Sequence, residues 1–222
     1  PFSTLLRNEP LSNEGHCRVA LECVDFPNKL VPLTMIAHLT DIHIGNPGES
    51  PRGVPVRENF LAVLQDIALV EPEALIITGD LTLDVGDREI YRWVNRTLEE
   101  TGMDYRVLPG NHDDPEMVSE VFGSRAWELS GEARRTHRLF QAAGEQLLLF
   151  DVPGGEVTEE DLYWLSKALR ESRAEELLLF MHYPPVPLPI THMEQNYALA
   201  GRDEVSRLLA ETERRVYLFC GH

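Results

Sequence analysis

The chain has 222 residues, enough for one sizeable core and short for two domains. Hydrophobic residues make up 43% and charged residues 26%, the balance of a soluble globular protein. A net charge of −17 excludes a surface built for nucleic-acid backbones, which needs clustered Lys and Arg, but not a small anion beside a bound metal.

The cysteines Cys17, Cys23 and Cys220 form no CxxC pair and no disulfide framework, which predicts a reducing, cytoplasmic setting. No apolar stretch approaches the roughly 18 residues of a membrane span, so no membrane partner is expected. Nor does the N-terminus carry a signal-peptide pattern.

Residues 1–34 read as an extension, with Arg18–Val24 an edge-strand candidate, and 35–222 as the main domain. Met35–Thr40 is a short apolar run that stops at Asp41-Ile42-His43. A long Gly- and Pro-rich loop, 44–55, follows, and then a helical pattern with Phe60, Leu61, Leu64, Ile67 and Ala68 on one face. Ala74–Thr78 is the second run and stops at Gly79-Asp80; Ile90, Trp93, Val94, Thr97 and Leu98 then share a helix face. Tyr105–Leu108 is the third run and stops at Pro109-Gly110-Asn111-His112.

Arg138–Phe140 and Glu145–Asp151 read as a hairpin in a second, mixed part of the sheet. Thr158-Glu159-Glu160-Asp161 has the form of a capping box that opens a helix with Leu162, Leu165 and Leu169 inward. Leu177–Met181 stops at His182, before the Pro-rich loop 183–189. Asp203–Arg214 reads as a helix with Val205, Leu208 and Leu209 inward, and Val216–Cys220 stops at Gly221-His222. Runs of this length bounded by Gly and Pro suit strands buried on both faces, and their alternation with helices predicts an α/β layered domain.

Each of the five runs is followed at once by residues that bind metals: Asp41 and His43, Asp80, Asn111 and His112, His182, and His222. One Asp after a strand is ordinarily a cap or turn former, and one His is ordinarily a surface or satisfied core residue. Seven such residues at five strand ends are not so explained, because strand C-termini of an open α/β sheet converge on one crevice. Carboxylate, amide and imidazole donors without thiolates suit Mn, Fe, Zn, Co or Ni better than Ca or Mg.

Asp41-Ile42-His43, Gly79-Asp80, Gly110-Asn111-His112-Asp113, His182 and Gly221-His222, in this order, resemble the signature of the calcineurin-like metallophosphoesterases. The fuller blocks His38–His43, Gly79–Thr82, Leu108–Asp113 and His182–Pro185 look most like class III cyclic-nucleotide phosphodiesterases and their glycerophosphodiesterase-like relatives. The resemblance implies a four-layer αββα sandwich with mixed sheets and two transition metal ions, Mn, Fe or Zn. Asp41 and His43 would bind the first ion, Asp80 would bridge, and Asn111, His182 and His222 would complete the second. The family's closing block reads Gly-His-any-His, so the first site is expected to lack one ligand within these residues, and the domain to be cut short.

Such a pair would hold a bridging hydroxide for in-line attack on a phosphodiester. His112 is then expected to protonate the leaving alkoxide rather than bind metal. Asp113 is a supporting candidate, and His192 and Asn196 are substrate-side candidates on the loop beyond 189. His38, mid-strand, reads as packing, as do Trp93, Trp164 and Cys220, and Arg52 and Arg57 as solvated surface. The expected substrate is a cyclic nucleotide or glycerophosphodiester, with a homodimer implied by resemblance. The competing expectations are a phosphomonoesterase on the same site and a metal-binding scaffold without turnover; His112 speaks against the scaffold.

Overall fold

A segment apolar at nearly every position has to be covered on both faces, and Ala74–Thr78, apolar up to its last residue, is one. In the computed structural model, which describes residues 35–126 and 137–222, it is strand β2, buried throughout. It lies between β1 (Ile36–Leu39) and β3 (Tyr105–Leu108), all three parallel. A second sheet runs β4 (Arg138–Ala142), β5 (Glu145–Leu149), β6 (Glu176–Met181) and β7 (Arg215–Cys220). Here β4 is antiparallel to β5 and the other neighbours are parallel. The expectation of mixed sheets thus holds for the second sheet; the first is purely parallel among the described residues. The β4–β5 turn, Ala143-Gly144, has positive φ at both residues (57° and 75°), as a tight two-residue hairpin requires.

The alternation of side chains in the second sheet shows how the layers stack. Leu147, Leu149, Leu178 and Phe180 join the core built on the first sheet, whereas Leu148, Leu177, Leu179 and Met181 join a separate core outside it. The first core is closed by α1 (Val56–Leu69), α2 (Arg88–Thr101) and α3 (Pro115–Phe122). The second is closed by α4 (Glu159–Glu171) and α6 (Arg202–Glu211), while the short α5 (Thr191–Asn196) buries no residue. The order is helices, sheet, sheet, helices: the four-layer αββα sandwich.

Local chemistry sets the helix ends. Asp87 caps α2 by accepting from the amides of Glu89 and Ile90, and left-handed Gly102 stops it. Asp114 caps α3 in the same way, with Pro115 following. Thr158 and Asp161 form the capping box expected for α4. One expected face is corrected: Leu61 and Ala68 of α1 are exposed. The buried stripe is Phe60, Leu64 and Ile67 with Val63 beside it, a strict i, i+3, i+4, i+7 set that leaves Leu61 a quarter-turn away. The edge strand expected at Arg18–Val24 lies outside the described residues. Among the described residues no helix is long and apolar enough to cross a membrane.

Candidate metal centre

The C-terminal ends of β1, β2 and β3 and those of β6 and β7 meet where the two sheets adjoin. The pairing of β1 with β2 continues past the strands: Asp41 N donates to Gly79 O (3.0 Å), His43 N to Asp80 O (2.9 Å) and Ile44 N to Leu81 O (2.9 Å). Within the second sheet Gly221 N donates to His182 O (3.0 Å), and across the sandwich His222 N donates to Asp41 Oδ2 (3.1 Å), which ties the end of β7 to that of β1. Two glycines permit this approach. A Cβ on Gly110 would sit 2.2 Å from Asp80 Oδ1, and one on Gly221 would sit 1.9 Å from Thr40 Oγ1.

The backbone is strained where the candidate ligands stand. Asp41, His43, Asp80 and His222 all lie in the left-handed region, with φ of 55°, 43°, 52° and 67°. For non-glycine residues such conformations cost of order 1–3 kcal/mol each, and the surrounding structure has to impose them.

Asp80 is central. Its buried carboxylate belongs to two sets of donors, His43–Asp80–His112 and Asp80–His182–His222, each with donor atoms within 4.8 Å of one another. Oδ1 lies 3.4 Å from His182 Nε2, and Oδ2 lies 3.7 Å from His43 Nε2 and 4.0 Å from His112 Nε2. Asp41 is in neither set. Its Oδ2 is held by Thr40 Oγ1 (2.5 Å) and His222 N, and its Oδ1 stands 3.9 Å from His43 Nε2.

Main-chain carbonyls select the ring nitrogens. A carbonyl only accepts, so His43 Nδ1–H donates to Thr82 O (3.3 Å), His112 Nδ1–H to Asp84 O (2.9 Å) and His182 Nδ1–H to Thr78 O (2.8 Å). In their neutral forms all three present a bare Nε2 to the site. His222 is the inverse case: its Nε2–H donates to Tyr197 O (3.1 Å), which leaves Nδ1 with the lone pair. Burial, then His182, holds the His222 pKa below the usual imidazole range, which keeps the ring neutral as a ligand must be.

This donor set fits a pair of cations. His182 Nε2 faces Asn111 Oδ1 at 3.0 Å and Asp80 Oδ1 at 3.4 Å, so three lone-pair atoms converge with no proton between them in the neutral tautomer. A cation relieves that arrangement, and a carboxylate common to two donor sets is what a bridging ligand needs.

Asp113 is a hub beneath the site. Its carboxylate accepts from the amides of Leu81 (3.0 Å), Thr82 (3.2 Å) and Gly110 (2.8 Å) and from Tyr91 Oη (3.0 Å). Burial pushes its pKa up, and the Gly110 and Leu81 amides pull it back. His192 and Asn196, on α5, bond to each other (Asn196 Nδ2 to His192 O, 2.8 Å) and stand outside both donor sets. Arg57 donates to Gly45 O (2.9 Å) and lies 4.3 Å over the Trp93 ring, so it fixes the loop after His43 rather than standing free in solvent. A cavity of about 380 Å³ opens beside Asn111 and His112, bordered by Val85, Gly86 and Glu116. Sequence reasoning gave no role to Tyr91 or Thr82; Thr82 stood within the Gly79–Thr82 block, and the signal of Tyr91 was the oxygen it carries on an otherwise apolar helix face.

Comparison with known proteins identifies the family and the fold. The family model described as calcineurin-like phosphoesterase matches residues 34–222. A probable cyclic nucleotide phosphodiesterase of Fibrobacter succinogenes is 25% identical over 84% of this chain and 71% of its own length. A probable glycerophosphodiester phosphodiesterase of Arcobacter nitrofigilis is 32% identical over 68% of this chain and 56% of its own. The 3',5'-cyclic adenosine monophosphate phosphodiesterase of Escherichia coli is 31% identical over 84% and 68%. A dimetal phosphatase from Danio rerio superposes with a TM-score of 0.67 at 14% identity, covering 86% of this chain and 82% of its own. A purple acid phosphatase from yellow lupin gives 0.58 at 15%, over 84% and 37%. These two share the fold.

Proposed function

This chain belongs to the calcineurin-like phosphoesterases, and from that premise we propose that it hydrolyses a small phosphodiester, a cyclic nucleotide or a glycerophosphodiester. The observation that carries the proposal is the Asp80 carboxylate, shared by two donor sets, one of which includes the His112 ring. The substrate class draws on the bacterial relatives named for cyclic nucleotide and glycerophosphodiester hydrolysis.

Asp80, Asn111, His182 and His222 would hold one ion, and Asp41, His43 and Asp80 the other. When bound, such ions supply Lewis-acid polarisation of the phosphoryl group and acidify water from a pKa of about 15.7 to near 7. Mn, Fe or Zn suits the mixed oxygen and nitrogen donors. Asn111 would contribute an oxygen without charge, which would leave the loaded centre net positive towards an anionic diester.

His112 acts on the leaving group. Asp84 O holds its Nδ1–H, so the transferable proton is carried on Nε2, which points into the site. Asp80, 4.0 Å away, stabilises the imidazolium before it gives that proton to the departing alkoxide. The cavity beside His112 gives the departing alcohol room. A cytoplasmic location completes the proposal, supported by cysteines that form no CxxC pair.

The test is turnover of bis-p-nitrophenyl phosphate, p-nitrophenyl phosphate, 3',5'-cyclic AMP and glycerophosphocholine by the Mn-loaded protein. Diesters should be hydrolysed in preference to the monoester. Asp80→Ala should lose metal and activity together, and His112→Ala should keep metal and lose about 10²–10⁴-fold in rate. Turnover of the monoester alone would replace the diesterase with a phosphomonoesterase, and metal binding without any turnover would leave a scaffold.

A further inference from the structure

His112 is the candidate proton donor, yet its ring is only half-buried and its ring hydrogen bond is to a main-chain carbonyl; its orientation comes from the main chain. Its amide donates to Asp80 Oδ1 (3.0 Å), its carbonyl accepts from Thr82 Oγ1 (2.8 Å), and its Nδ1–H donates to Asp84 O (2.9 Å). All three partners lie in 80–84, the loop that leaves β2. What fixes His112 is therefore the seating of the 110–114 turn on the 80–84 loop.

That seating converges on one buried phenol. Tyr91 is fully buried in the second turn of α2, and its Oη bonds both ways: it donates to Asp113 Oδ1 (3.0 Å) and accepts from Asp114 N (2.9 Å). Through Asp113 it reaches the amides of Leu81, Thr82 and Gly110, and so both loops at once. Thr82, also fully buried, is the second contact between them, with its hydroxyl on the His112 carbonyl.

We propose that Tyr91 and Thr82 are positioning residues for His112, holding its Nε2 against the reacting centre without touching substrate or metal. Neither hydroxyl belongs to a donor set: Tyr91 Oη lies on Asp113 and the Asp114 amide, and Thr82 Oγ1 on the His112 carbonyl. Removing either should loosen how the His112 main chain is seated in the 110–114 turn, while the set Asp80–His182–His222, which draws no residue from that turn, stays in place. The proposal rests on the reading of His112 as the leaving-group acid.

The experiment uses the isosteric variants Tyr91→Phe and Thr82→Val in the Mn-loaded protein, each alone and combined with His112→Ala. With bis-p-nitrophenyl phosphate, each single variant should lower kcat about 10- to 100-fold, the usual cost of losing an outer hydrogen-bond partner, with KM and bound Mn unchanged. In the His112→Ala background neither should lower kcat further, because the effect acts through the missing ring. In the metal-free protein, both should speed solvent exchange of the His112 Nδ1 proton, followed by NMR with 15N-histidine. The same fold-loss with and without His112, or loss of Mn from the single variants, would overturn the proposal and leave a structural role. If His112→Ala itself kept full activity, the reading of His112 would fail instead. Should Tyr91→Phe not fold, Thr82→Val carries the test by the same criteria.

Discussion

His38 differs from the histidines at the strand ends, one turn of chain before Asp41 but inside the sandwich. Its Nε2 lies 2.8 Å from Thr78 Oγ1, and its ring meets Phe180 and Phe219 edge-on. Burial lowers its pKa from 6.5 to about 4, with Asp41 pulling weakly the other way. A depressed folded-state pKa means the unfolded chain takes up a proton that the folded chain refuses between pH 6.5 and 4. The neutral ring's contribution is therefore complete above about pH 6.5 and falls towards pH 4, by on the order of 3 kcal/mol. Urea unfolding of the metal-free protein across that window should show a shallower decline for His38→Leu than for the unmodified chain. Equal slopes would remove His38 from the account. Ligand types were readable in the sequence here, because Asp, Asn and His interrupt runs otherwise apolar. Partners were not: Tyr91 meets Asp113 across 22 positions, and nothing within either stretch points to the other.

At the level of elements, the helices divide into those that carry the site and those that only cover a sheet. α4 is of the second kind, packed on the outer face of the second sheet. Thr158→Ala removes its cap and should cost about 1 kcal/mol, or roughly 2–4 °C in Tm for a domain of this size. Metal content and kcat should not change; a loss of bound Mn would show that α4 reaches the centre after all. Strands and amphipathic helices were legible because a buried strand has to be apolar throughout and a covering helix has to be apolar on one stripe. The short α3 and α5 escaped because a stripe needs more turns than they have, although Asp114-Pro115 was a usable start signal for α3. Leu61 and Ala68 were misplaced because an apolar residue costs little on a surface, so composition alone does not fix a helix's rotation.

Over the whole molecule, the donors are carried by five strands of two sheets, and four of them sit on strained backbone. Like charges and facing lone pairs gathered at one centre work against the folded state, and bound cations would reverse that. Mn at about 100 times its Kd should raise stability by about 2.7 kcal/mol. Scanning calorimetry with added Mn and then with a chelator should move Tm up and back. Asp80→Ala should be insensitive to both, and a Tm indifferent to Mn in the unmodified chain would deny the centre. The α/β layering and the crevice followed from strand pattern and topology rules, whereas the four-layer order and a bridging Asp80 came from the family resemblance, and the donors that share Asp80 needed the folded geometry. The bond from His222 N to Asp41 Oδ2 joins residues 181 positions apart. Asp41 therefore leaves the ribosome long before His222, and the set Asp80–His182–His222 cannot come together until β7 has paired with β6.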